Sequence, residues 1–453
     1  MQQTVEAQRA YFAMGETLNS DFRIYQLKRL KDAVEEYEPQ LIDALYQDLN
    51  KSASEAYMTE IALVYHELDQ AIKKVRDWMR PRHKHVEAMN FPAVGKIYPT
   101  PKGVVLIMSP WNYPVQLTLC PLVAAVAAGN CCVVKPSRYS AHTSAVLKKM
   151  LEENFEAKHI SVFLGGSETN QALLKLQYDH IFFTGSPAVG RVVMRAAAEH
   201  LTPVTLELGG KSPCIVDDSA DIGLAARRIV WGKCLNAGQT CVAPDYVLVH
   251  KSVKTAFLTA LEHEIRKSFG DDPLHNEALP VIINEKHFDR LLTLLSRTQG
   301  IVCGGKGDPQ TRRIEPTVVF SQTPDIPLME EEIFGPVLPV IAFDALDEAV
   351  DYIRLHDHPL ALYLFLKRKH AQNKVISAIG FGGGCINDTV MHMTGSSLPF
   401  GGFGQSGMGQ YHGKYGFDTF THYKPVLKKS DRVDIALRYA PYPSLDKIKK
   451  LMK

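Results

Sequence analysis

Residues 104–135 read VVLIMSPWNYPVQLTLCPLVAAVAAGNCCVVK, and the fold follows from this stretch. An apolar, β-branched run at Val104–Met108 precedes a helical pattern over Gln116–Ala128, and a second apolar run follows at Cys132–Val134. A membrane span is the competing reading of Leu117 to Val134. Pro121, Gly129 and Asn130 interrupt it, so a buried helix and strand fit better. Toward the C-terminus the rhythm continues, with apolar runs at Ser161–Leu164, His180–Phe183 and Val204–Leu208. Helical patterns near Ala141–Asn154, Asn170–Gln177 and Val189–His200 lie between and after them. This alternation predicts an α/β fold with a parallel sheet and helices on both faces. Ligands in such sheets gather at the carboxyl ends of the strands, so the loops after each run are the places to search.

Upstream, Leu27, Leu30, Val34, Tyr37, Leu41 and Leu45 recur at steps of three and four, which predicts an amphipathic helix. Ser54 to Met79 reads as a second long helix, stopped by Arg80-Pro81. From His83 to Thr100 short alternation broken by prolines and a glycine predicts an extended excursion, read as a hairpin. Downstream, a second alternation places strands at Cys214–Val216, Tyr246–His250, Val337–Phe343, Ala361–Leu366 and Gly384–Asn387. Eleven glycines fall between Gly382 and Gly416, interleaved with aromatics, and predict a compact wrap of backbone.

Composition excludes several classes. The 453 residues are 45% hydrophobic and 22% charged, which speaks against disorder or a coiled-coil rod. Fifty-one Lys plus Arg against 49 Asp plus Glu leave a charge of +2, no basis for a nucleic-acid partner. The N-terminus lacks a secretion signal, and eight scattered cysteines without CxxC suit a reducing cytoplasm. No metal is expected: HExxH is absent, and His356-Asp357-His358 reads as a polar loop before Pro359.

Five strand-end loops carry chemical potential. In Ser109–Pro114, prolines pin a loop presenting Asn112, either a donor for a developing oxyanion or a turn residue bonding its own backbone. Lys135-Pro136-Ser137-Arg138 places cations ahead of a helix N-terminus, suited to an anionic or polyhydroxyl ligand or simply solvated. Gly185, Ser186 and Gly190 form a GSxxxG turn into a helix that suits a pyrophosphate. Glu207 ends an apolar strand beside two glycines. It is either a desolvated base or a carboxylate satisfied by backbone N–H groups. Cys241 follows small and polar residues, in a tight turn whose N–H groups are expected to stabilise a thiolate. A soft nucleophile, an amide donor, a carboxylate and a phosphate-binding turn together describe oxidation of a carbonyl by a nicotinamide cofactor.

The motifs PWNYP (110–114), KPS (135–137), FTGSPAVG (183–190), LELGGKS (206–212), GQTCVAPDY (238–246), EEIFGPVLPV (331–340) and PFGGFGQSGMGQYHGKYGFDTFTH (399–422) are spread along the chain from Pro110 to His422. With them the chain resembles the aldehyde dehydrogenases, specifically the short class 3, fatty aldehyde dehydrogenase-like branch. The resemblance implies Cys241 as nucleophile, Asn112 with the Cys241 N–H as oxyanion hole, and Glu207 as the base for the deacylating water. It implies Lys135 on the adenosine ribose, Ser186 on the pyrophosphate, and Glu332 with Phe334 at the nicotinamide ribose and ring. Trp111, Tyr113, Trp231, Phe400 and His412 would line a tunnel for medium- or long-chain aliphatic or aromatic aldehydes.

Where many family members carry a glutamate three residues after the lysine, this chain has Arg138. Arg138 with Lys135 and Ser137 is therefore expected to admit or prefer NADP over NAD. The resemblance further implies a Rossmann-like cofactor domain (1–82 and 101–208), an α/β catalytic domain (209–420) and a small β oligomerisation arm (83–100 and 421–436) of a homodimer. A tail over 437–453 is basic, with no hydrophobic anchor, so no integral membrane segment is expected. Competing functions are acyl transfer to coenzyme A, a cysteine hydrolase, and a non-catalytic binding protein on the same fold.

Overall fold

The helical N-terminal reading holds, with one local change. The computed structural model describes residues 1–434 and 438–451; the arm's last positions, 435 and 436, and positions 437, 452 and 453 of the tail lie outside the described residues. The first long helix, Ser20–Leu49, buries Leu27, Leu30, Val34, Leu41 and Leu45 completely. Asn19 caps it by accepting from the Asp21 N–H. The second is not one uniform helix: Ala53–Ala56 passes through a π turn at Tyr57–Ile61 into Ala62–Trp78.

Five strands of the first sheet run parallel in the spatial order Val204–Leu208, His180–Gly185, Val104–Met108, Cys131–Lys135, Ile160–Val162. Val104–Met108 comes first in the chain among these five yet lies in the middle, flanked by Cys131–Lys135 on one side and His180–Gly185 on the other. The connections therefore leave it in opposite directions, and a crevice opens at its carboxyl end. Gln116–Ala128 is a helix buried along its whole length, so the span reading is answered by packing. Among the described residues no helix is long and apolar enough to cross a membrane.

Two helices start earlier than expected, at Ser167–Leu174 and Pro187–Ala198. In the second, Pro187 sits in the first turn, where its missing N–H costs nothing, and the Ser186 hydroxyl accepts from the Val189 N–H. The antiparallel edge of this sheet is Gly407–Met408, with Gly407 opposite Glu207. A side chain at Gly407 would meet the Leu206 carbonyl oxygen at 2.3 Å, so the glycine-rich wrap does press backbone on backbone.

The second sheet has seven strands in the order Ile301–Cys303, Thr317–Ser321, Val337–Phe343, Tyr246–His250, Pro213–Val216, Ala361–Phe365, Gly383–Ile386. The sequence reading places no strand between His250 and Val337, whereas the structure has Ile301–Cys303, Gly307–Asp308, Arg313–Ile314 and Thr317–Ser321 there. Three of these span only two or three residues, too few to show an alternation. The excursion after residue 82 folds as a hairpin, Arg82–Lys84 against Ala93–Pro101, and the latter pairs antiparallel with Thr421–Lys429.

Candidate active site

A cleft of about 820 Å³ lies between the two sheets, lined by the strand-end loops after Met108, Lys135, Gly185 and Leu208 and by the segment from Met329 to Phe334. Cys241 and Glu207 lie in its wall. Both also line a second cavity of about 20 Å³, whose other walls include Tyr113, Leu117, Met393, Phe400 and Tyr411. The thiol and the carboxyl thus stand where a large cleft meets a small, mainly apolar pocket.

The turn that carries Cys241 is strained. Asn236, Ala237 and Gly238 have φ of 52°, 52° and 72°, and a left-handed alanine is held only when its surroundings over-determine it. A side chain at Gly238 would collide with the Gly335 carbonyl oxygen at 2.2 Å. The Cys241 and Val242 N–H groups face the sulfur, as expected, and pull its pKa down. Burial and the neighbouring Glu332 and Glu207 outweigh them, and the thiol is pushed up to about 12. The expected help from the N–H groups is present, but it is outweighed. Burial removes water from the thiolate more effectively than two N–H dipoles replace it.

Glu207 is 3% exposed, neither carboxyl oxygen has a hydrogen-bond partner among the described residues, and burial pushes its pKa well above the carboxylate range. The reading of a carboxylate satisfied by backbone N–H groups is thereby excluded. Asn112 lines the cleft and donates from Nδ2 to the Gln239 carbonyl oxygen at 3.0 Å. An amide nitrogen carries two N–H groups, so this bond orients Asn112 and leaves a second donor.

Gly185, Ser186 and Ser137 line the cleft, but Gly190 does not. A side chain at Gly190 would meet the Leu208 methyl at 2.7 Å, so it acts in packing helix against strand. Lys135 is buried at the switch point, and burial, with Arg138 nearby, lowers its pKa to about 8. Arg138 is exposed, its guanidinium 5.0 Å from the centre of the Tyr139 ring at the cleft's edge.

Glu332 and Phe334 line the cleft beside Gly209, where a side chain would sit 2.2 Å from the Glu332 carboxyl oxygen. Burial, followed by the charge of Asp245, pushes Glu332 up to about 8. Trp111 packs edge-on against Phe334 with centroids 5.4 Å apart, which puts it in the large cleft. Tyr113 and Phe400 line the small pocket. Trp231, 37% exposed, and His412, bonded through Nδ1 to Glu67, line neither cavity, so these two do not join the others.

A dinucleotide fits this arrangement. The cleft sits at the topological switch point and has the volume of a ligand site. A backbone turn opens a 12-residue helix at its edge, and its wall holds an orphaned carboxyl. Among the described residues no cluster of three or more His, Cys, Asp or Glu is placed to hold a metal ion.

Comparison with known proteins agrees with this geometry. The model of the aldehyde dehydrogenase family matches residues 1–426. The 4,4'-diaponeurosporen-aldehyde dehydrogenase of Staphylococcus aureus is 46% identical over 435 residues, 96% of this chain and 95% of that protein. Human aldehyde dehydrogenase family 3 member B1 is 45% identical over 440 residues, 97% of this chain and 94% of its own length. A solved structure described as the substrate-bound state of Staphylococcus aureus AldH superposes with a TM-score of 0.96 at 44% identity, covering 100% of this chain and 99% of that one. The chain belongs to the aldehyde dehydrogenase family.

Its family 3 relatives place this aldehyde dehydrogenase in the class 3 branch. Several residues that shape the dehydrogenase site escaped the sequence reading. Lys211 donates to Asp245 at 2.6 Å and to the Leu328 and Glu331 carbonyl oxygens, while Asp245 accepts from the Ile333 N–H. Together they hold the loop bearing Glu332 and Phe334. Both stand inside the GGKS and APDY motifs, which was the available signal. Leu117, Met393 and Tyr411 in the small pocket carry no signal beyond being apolar or aromatic.

Proposed function

We propose that this aldehyde dehydrogenase oxidises medium- or long-chain aliphatic or aromatic aldehydes to carboxylic acids through a covalent adduct on Cys241, with hydrolytic release. The position of Cys241 and Glu207 between cleft and pocket carries this reading. An aldehyde in the apolar pocket would reach the sulfur from that side, and the cleft's residues would hold a dinucleotide on the other.

In this reading the Cys241 thiol releases its proton to water in the cleft, the sulfur attacks the carbonyl carbon, a C–S bond forms and the carbonyl π electrons move to oxygen. The free Asn112 N–H and the Cys241 N–H receive that oxyanion. An oxidised nicotinamide, when bound, would supply the two-electron acceptor for the hydride on carbon. The thioester left on Cys241 is cleaved by water, whose proton passes to ionised Glu207, with the sulfur as leaving group. Once ionised, a buried carboxyl without hydrogen-bond partners among the described residues is free to take that proton.

The cofactor would be held by Ser137, Gly185 and Ser186 at the phosphate side, by Lys135 at the adenosine ribose, and by Glu332 and Phe334 at the nicotinamide end. Arg138 beside Ser137 supports acceptance of NADP. The domain division given above is supported by the two sheets and the separate three-stranded arm. Exposed Val94, Val426 and Leu427 on that arm support its use in a homodimer, and eight free cysteines support a reducing, cytoplasmic setting. The test is an aldehyde panel from short to long chains plus benzaldehyde, run with each nucleotide, with and without coenzyme A. Acid formed without coenzyme A supports the reading; a strict requirement for it overturns hydrolytic release.

A further inference from the structure

We propose that Lys51, paired with Glu60, is a positioning residue for the chemistry at Cys241, acting through the Asn112 loop; this rests on the oxyanion reading of Asn112 above. The two side chains are fully buried and meet at 2.6 Å. A buried ion pair often contributes no more stability than an apolar replacement of the same shape, so its other bonds are the informative ones. All of them reach one loop. Lys51 Nζ donates to the Asn112 carbonyl oxygen at 3.0 Å and stands 4.0 Å from the centre of the Tyr113 ring. Glu60 Oε2 accepts from the Val115 N–H at 2.8 Å and from the Gln116 N–H at 3.3 Å.

The same helical segment also grips the turn before the thiol. Glu55 Oε1 accepts from the Asn236 N–H at 2.7 Å, and Asn236 Nδ2 donates back to the Asn112 carbonyl oxygen at 2.7 Å. The pair therefore fixes the main chain from Asn112 to Gln116, and Asn236 ties that main chain to the turn leading to Cys241. Glu60 lies within the π turn Tyr57–Ile61, a local widening that recurs at functional sites because it shifts the register of the side chains that follow. An oxyanion donor stabilises charge only when its N–H is held at hydrogen-bonding distance of where that charge develops. Lys51 holds the peptide of the residue that supplies it.

A double-mutant cycle on the full-length enzyme tests this, reading kcat at saturating aldehyde, nucleotide Kd and melting temperature. Lys51→Met is expected to lower kcat by about tenfold or more with nucleotide Kd unchanged. In an Asn112→Ala background the same change is expected to lower kcat by less than about twofold, because the group it positions is gone. A parent-like kcat in Lys51→Met, a loss confined to nucleotide affinity, or the same factor in both backgrounds overturns the proposal. Should Lys51→Met fail to fold, Glu60→Gln, which keeps the side-chain shape, enters the cycle under the same criterion. Parent-like turnover in Asn112→Ala removes the oxyanion reading and this proposal together. An impaired Asn112→Ala enzyme to which Lys51→Met adds its full factor removes this proposal alone.

Discussion

Glu207 and Cys241 are the two ionisable side chains that line both the large cleft and the small aromatic pocket. They come from different sheets: Glu207 ends a strand of the first, and Cys241 precedes Tyr246–His250 of the second. In the reading above they act in successive halves of the reaction, and their separate removal distinguishes the two.

Cys241→Ala removes the atom that forms the covalent bond. Reduced-nicotinamide production is expected to fall to background while nucleotide binding, followed by protein fluorescence, stays at the parent value. Measurable dehydrogenation in this variant would sink the covalent route.

Glu207→Gln keeps the shape of the side chain and removes the proton acceptor. A first-turnover burst of reduced nicotinamide is expected to survive, with steady turnover lowered by roughly 10²–10⁴-fold. Stopped-flow absorbance separates the two phases, and full steady turnover would retire the base assignment.

Glu207 and Glu332 have pKa values raised by burial, so the folded enzyme binds protons that the unfolded chain has already released. Their contribution is present at pH below the ordinary carboxylate pKa and is lost as pH rises, for Glu332 through about 8. Stability is therefore expected to fall with rising pH on their account. The melting temperature of Glu207→Gln should gain on the parent by roughly 2 °C or more as pH rises above the ordinary carboxylate range. Steady turnover of the parent should rise with pH as Glu207 ionises, and a flat difference in melting temperature would refute the desolvated carboxyl.

Arg138 folds over Tyr139 at the edge of the cleft. Arg138→Glu is expected to move the ratio of kcat/KM for NADP against NAD toward NAD by about tenfold or more, the size of one charged hydrogen bond to phosphate. An unchanged ratio would show that the guanidinium does not meet the 2′ position.

Gly209 lets the Glu332 carboxyl approach the main chain. Gly209→Ala would displace that carboxyl, and the KM for nucleotide is expected to rise by about tenfold. An unchanged KM would mean that the Glu332 position is not used by the nucleotide.

Much of the fold was legible because burial is written into local pattern. The helices Gln116–Ala128 and Ala141–Asn154 and the strands Tyr246–His250 and Val337–Phe343 occur at the expected bounds, since continuous or periodic apolar runs admit few other solutions. Thr317–Ser321 and its short neighbours were missed; they are stabilised by the strands beside them more than by any periodicity of their own. Gly190 and His412 looked functional as strings. Gly190 instead packs helix on strand and His412 is bonded to Glu67, which spacing alone does not distinguish from ligand binding.

The linear order of residues determined the alternating α/β architecture, the family, and the residue types offered at the strand ends, because these depend on short-range periodicity and on motif strings. Tertiary structure alone decided that burial raises the Cys241 thiol, that the Glu207 carboxyl has no hydrogen-bond partner among the described residues, that the two share a boundary between two cavities, and that Lys51 reaches the Asn112 loop. Those properties arise from desolvation and from contacts across tens to hundreds of residues, and neither is encoded in the neighbours of any one position.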